Sequence, residues 1–164
     1  MVKLVFFAPY PNILPVIQRV ISERPESKDI QYQVVQDYYN NKLEHVDGDV
    51  IIARGFTAHT LKRRKIPCVE LKTTGYDVLA AVKTCLNQWD VKRIAVVGAF
   101  NMVYGAEQVN QVYPGLRVSC YAEDDETMLK TAVLRAKEDG NQVIVGGYST
   151  VELAKQCDVP AVMI

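Results

Sequence analysis

The amino-acid sequence predicts an α/β protein of two similar lobes from a tandem duplication, each lobe a four-stranded parallel sheet flanked by helices. Three observations carry that expectation. Short apolar runs alternate with helix-period segments along the whole chain. The runs are apolar on both faces, as strands covered by helices on two sides require. One strand, turn, helix and strand unit also occurs twice: "DVIIARGFTAHTLKRRKIPCVEL", Asp49 to Leu71, and "QVIVGGYSTVELAKQCDVPAVMI", Gln142 to Ile164.

The elements follow in order. The run Val2–Ala8 is the first strand, stopped by Pro9 and Pro11. A helix is expected over 13–23, with Asn12 as its N-cap and Pro15 tolerated in the first turn, where a missing N–H costs nothing. A strand at 30–35, a helix at 37–45 and a strand at Val50–Ala53 lead to the first copy of the repeated turn, then a helix at 58–65 and a strand at 68–71. The helix at 77–88 opens on Thr74-Gly75-Tyr76-Asp77. Strands at 93–98, 116–121, 143–145 and 161–164 then alternate with helices at 102–112, 125–138 and 151–156, the first of these only weakly patterned.

The repeat can be set out residue by residue. Ile51 to Phe56 lies on Val143 to Tyr148 without a gap; after one inserted residue, Thr57 lies on Thr150, Ile66-Pro67 on Val159-Pro160 and Val69 on Val162. Upstream, Leu4 to Ala8 corresponds to Ile94 to Gly98. This divides the chain into a first lobe over 1–73, a connecting helix over 74–89 and a second lobe over 90–164. Two facing lobes would form a cleft, and ligands of open α/β sheets sit outside the carboxyl ends of the strands.

The repeated turn has the chemistry of an anion site. Gly55 and Gly147, the latter preceded by Gly146, permit a positive φ and a close backbone approach; Thr57 and Thr150 read as N-caps; helix starts leave N–H groups unpaired. The same grammar also serves ordinary strand-to-helix turns. Arg54 adds a planar guanidinium suited to a carboxylate. Thr74 reads as a cap, with the Tyr76 hydroxyl able to reach the cleft. Asn101, in "VVGAFN", would cap the next helix or donate to a ligand, and Tyr10 is placed at the cleft beside them.

Composition excludes other classes. Lys plus Arg and Asp plus Glu number 19 each, so no net field draws nucleic acid or a membrane surface. The N-terminal apolar run is too short to span a bilayer and no signal-peptide pattern follows it, which makes the cytoplasm the expected location. Cys68, Cys85, Cys120 and Cys157 lie far apart and read as reduced, buried thiols, and His45 and His59 stand without ligand-spaced neighbours. No metal or cofactor is expected. The basic run Lys62 to Lys65 is a solvated helix end that complements the dipole. No phosphate-binding glycine loop and no serine nucleophile elbow occur.

The segments "ARGFTAHTLKRRKIPCVELKTTGYDVLAAV", "VVGAFN" and "VIVGGYSTVELAKQCDVPAVMI" resemble the N-terminal sensory domain of the propionate catabolism activator family, among sigma-54-dependent transcriptional regulators. That family's pattern is approximately ARGGTA, a later IPVVEI, SGYD, VVGFxN and VVGGxxT. The resemblance implies tandem chelatase-like lobes and a small carboxylate effector, 2-methylcitrate in the propionate branch. It also implies control of a downstream AAA+ ATPase and a DNA-binding domain, which would make this chain an excised sensory portion, with a homodimer compatible. Phe56 departs from the second glycine of RGGT and Thr74 from the serine of SGYD.

Two other readings compete. A two-lobed racemase or isomerase would place an acid/base Cys in each half, but the repeat sets Cys68 on Ala161 and Cys157 on Arg64, so no symmetric pair exists. The other is an interaction domain that binds no small molecule.

Overall fold

The computed structural model describes residues 1–8, 10–24, 29–36 and 46–164. The helix expected over 37–45, His45 and Pro9 lie outside the described residues. The chain divides into two compact units, Met1–Leu71 and Lys72–Ile164.

In the first unit β1 (Val2–Ala8), β2 (Ile30–Gln36), β3 (Val50–Ala53) and β4 (Cys68–Glu70) form one sheet in the order β2-β1-β3-β4, every pairing parallel. Helix α1 (Leu14–Ser22) follows β1, and α2 (Gly55–Arg63) joins β3 to β4. Alternation sorts the strand residues: Val5, Phe7, Ile51 and Ala53 pack with Ala58 and Leu61 of α2 into a core, while Leu4, Phe6 and Ile52 between them are half-buried. Pro15 sits in the first turn of α1. Asn12 does not cap that helix; it lies inside a short 3-10 turn, Pro11–Ile13, whose N-cap is Tyr10.

The second unit repeats this order. Its sheet, β6-β5-β7-β8, is built of β5 (Arg93–Ala99), β6 (Arg117–Glu123), β7 (Val143–Gly146) and β8 (Ala161–Met163), again all parallel. The helices are α3 (Gly75–Gln88), α4 (Phe100–Val103), α5 (Leu129–Glu138) and α6 (Tyr148–Gln156). Helix α3 packs on β7 and β8. Ile94 to Val97 and Val143 to Val145 have no exposed surface, because helices cover both faces of these strands. The helix expected over 102–112 is instead α4 followed by a 3-10 segment, Ala106–Gln111. Gly105, at φ 78, turns the chain between them.

Strand register corrects the repeat. Leu4 pairs with Val50 as Ile94 pairs with Val143, and Ile51 pairs with Cys68 as Ile144 pairs with Ala161. One constant offset therefore carries β3, α2 and β4 onto β7, α6 and β8 with no inserted residue. It sets the start of α2, Gly55, on the start of α6, Tyr148, and Arg54 on Gly147. Even the two non-glycine residues of positive φ correspond: Lys65 at φ 57 and Asp158 at φ 54 each close a helix two residues before a proline.

Candidate functional site

In each sheet the chain leaves the first strand in one direction and returns to pair on its other side, so the order reverses between β1 and β3 and again between β5 and β7. Crevices at such switch points, beyond the carboxyl ends of the strands, are where open α/β sheets take ligands. The residues that follow these strands are Tyr10 and Arg54 in the first unit, and Phe100 to Met102 and Gly147 in the second.

In the first unit Arg54 is the N-cap of α2, in extended conformation, with no side-chain capping bond. Its half-buried guanidinium donates through Nη1 to the Tyr10 hydroxyl at 3.1 Å. Gly55 follows at φ 56, a left-handed conformation that a side chain would strain, and starts the helix. Thr57 is not the cap. It is the third residue of α2 and is buried. Nearby on β4, Glu70 accepts a bond from Lys62, which ties that carboxylate to the end of α2.

In the second unit the equivalent turn is built differently. Gly147 is the N-cap of α6 at φ −74, so it does not use the positive φ expected of it. Gly146 is constrained by space: a Cβ there would lie 2.4 Å from the Val97 carbonyl oxygen and 2.5 Å from Thr150 Cγ2. Thr150, expected as a cap, is instead a buried third residue whose hydroxyl donates to the Val97 carbonyl at 3.1 Å, pinning α6 to β5. Asn101 is the second residue of α4, whose N-cap is Ala99, so it does not cap either.

Thr74 caps α3 in a reciprocal capping box: its backbone N–H and hydroxyl donate to Asp77 Oδ2, each at 2.7 Å, and its oxygen accepts from the Asp77 N–H. Tyr76 is 84% exposed and contributes no wall. Thr74 and Asn101 come together in a groove of ≈ 440 Å³ between the start of α3 and the α4 to 3-10 segment. Both stand in stretches already singled out in the sequence, Thr74-Gly75-Tyr76-Asp77 and VVGAFN, but the apolar walls were not legible there, because they come from stretches about thirty residues apart whose meeting depends on α3 lying across the sheet.

Burial pushes the Cys85 and Cys120 thiols up to about 11, and it also raises Cys68. Among the described residues no group of three or more His, Cys, Asp or Glu could hold a metal ion, and no helix is long and apolar enough to cross a membrane. Arg63 and Lys65 are exposed at the end of α2.

Solved structures share the fold. The crystal structure of an NtrC family transcriptional regulator from Clostridium acetobutylicum has a TM-score of 0.80 at 16% identity, over 99% of this chain and 87% of that one. The ABC domain in complex with L-Trp from Streptococcus pneumonia has a TM-score of 0.55 at 14% identity, over 98% and 72%. A conserved domain protein from Vibrio cholerae O1 biovar El Tor has 0.51 at 13%, over 97% and 72%. At these identities the likeness is one of fold. No curated protein matches the sequence. The architecture and the family match together place the chain in the class of sensory domains of transcriptional activators. The chain belongs to the propionate catabolism activator family, whose model matches residues 33–164.

Proposed function

We propose that this domain binds a small carboxylate effector and that occupancy governs a downstream ATPase of a sigma-54-dependent regulator. The observation that supports this most is the pairing of Arg54 with Tyr10 at the β1/β3 switch point. A guanidinium is a planar fork of N–H donors shaped for a carboxylate, and the bond to Tyr10 orients the group. A carboxylate there would meet Arg54 beside the start of α2, where Gly55 and Thr57 lie and the helix dipole favours an anion.

An effector can shift a regulator only through different affinities for its two states. The proposal includes no catalysis: the cysteine thiols of raised pKa are poor acid/base groups near neutral pH, and the repeat supplies no paired cysteine.

The experiment is a thermal-shift panel of di- and tricarboxylates, including tricarballylate and citrate. A ligand at a hundred times its dissociation constant adds about 2.7 kcal/mol of stability. A panel in which no carboxylate raises the melting temperature would favour an interaction domain instead.

A further inference from the structure

The groove of the second unit differs in chemistry from the Arg54 turn. Its volume of ≈ 440 Å³ is within the range of small-molecule sites. Val78 and Leu79 of α3 form one wall; Met102, Ala106, Val109 and Val112 form the other. None of the lining residues is charged; the polar side chains among them include Thr74, Asn101 and Gln108. A polycarboxylate placed here would bring ionised groups against aliphatic walls, at a large desolvation cost.

The rim carries a second signal. Phe100 is 48% exposed, Tyr104 77% and Val112 56%, and the Phe100 and Tyr104 rings lie 5.1 Å apart between centroids. Apolar surface gathered at the mouth of an apolar groove marks a binding site more often than does a scattered exposed residue. The groove is too small for a packed helix, which is about 10 Å across with its side chains, and large enough for a ring or a branched alkyl group.

We infer that this groove is a small-molecule site whose chemistry differs from that of the Arg54 turn: it takes an uncharged apolar compound, an aromatic ring or branched aliphatic body with one amide or hydroxyl group. The apolar body fills the space between Val78, Leu79, Met102 and Val109. The single polar group is matched to the amide of Asn101, with Gln108, whose Oε1 accepts from Gln111 Nε2 at 3.0 Å, at the exposed edge.

The test uses 3-phenylpropionamide as the apolar probe and tricarballylate as the charged control, followed by titration calorimetry and amide NMR of the whole chain. Two variants block the groove at positions that tolerate change. A Cβ added at Gly75 meets nothing within 4 Å, so Gly75→Phe starts its ring from open space at the groove wall, and Val112→Asp places a charge at an exposed lining residue. The amide should bind the wild-type chain and move the signals of Leu79, Met102 and Val109, and each variant should weaken it tenfold or more while Arg54→Ala leaves it unchanged. Absence of binding, or equal affinity in Gly75→Phe, overturns the inference. Tricarballylate reports separately on the Arg54 reading through its own loss in Arg54→Ala, so the two proposals can fail independently.

Discussion

The guanidinium of Arg54 donates a 3.1 Å hydrogen bond to the hydroxyl of Tyr10, and so joins the residues that follow two adjacent parallel strands, β3 and β1. In sequence the two are far apart. The pairing arises because β3 inserts on the side of β1 opposite to β2, which brings both strand ends to one crevice.

Tyr10 acts through Arg54 by holding it in place. Tyr10→Phe should weaken tricarballylate binding by about two- to tenfold, consistent with a net hydrogen bond of about 0.5–1.5 kcal/mol. Adding Tyr10→Phe to Arg54→Ala should change nothing further. A double-mutant cycle by calorimetry checks this, and additive losses would give Tyr10 a role of its own.

The two glycines of the second turn should respond unequally. Gly146→Ala drives a Cβ into the Val97 carbonyl and Thr150 and should cost roughly 1–3 kcal/mol. At Gly147 the nearest atom to an added Cβ is Met102 Cε at 3.4 Å, an ordinary contact, so Gly147→Ala should lose only the N-cap preference, under about 1 kcal/mol. Urea unfolding of the two variants provides the comparison.

Removal of the α3 cap should be felt in stability. Thr74→Ala leaves the Asp77 N–H without its side-chain partner and should cost about 1 kcal/mol. Thr74→Ser keeps the oxygen and should recover most of it, as read from the shift in denaturation midpoint.

The buried Cys85 thiol gives stability a dependence on alkaline pH. Its folded pKa of about 11 lies above the ordinary 9.0, so between those values the unfolded chain releases a proton that the folded chain retains. Stability should therefore be intact below pH 9 and fall as pH rises towards 11. Cys85→Ala should make that part of the profile shallower in urea midpoints measured from pH 8 to 10.5, leaving the share of Cys120, whose pKa is raised as far, and the Cys85 thiol should resist iodoacetamide in the native state at pH 8.

Much of the fold is legible in the sequence. Each expected strand occurs, since apolar runs such as Ile94 to Val97, bounded by turn residues, have few other ways to bury both faces. The region after β5 was less readable, because a single glycine of positive φ, Gly105, divides what periodicity joins.

At the candidate site, residue types were legible but their roles less so. Matching Gly55 with Gly147 by identity forced a gap into the repeat, whereas strand register sets Gly147 on Arg54. Thr57 and Thr150 read as caps because threonine near a helix start commonly caps, but both are buried third residues, and Thr150 spends its hydroxyl on Val97. Thr74 does cap α3, and its partner Asp77 lies at the spacing a capping box demands, so that role is legible in the sequence.

The carboxylate claim is tested most directly by titrating tricarballylate into the wild-type chain, Arg54→Ala and Arg63→Ala side by side in a calorimeter. A charge-assisted hydrogen bond is worth about 1.5–3 kcal/mol, so Arg54→Ala should weaken binding about ten- to a hundredfold. Arg63, exposed at the far end of α2, is screened by salt and should leave affinity within about twofold. Equal affinities for all three proteins would contradict the assignment of Arg54 as the effector's anchor.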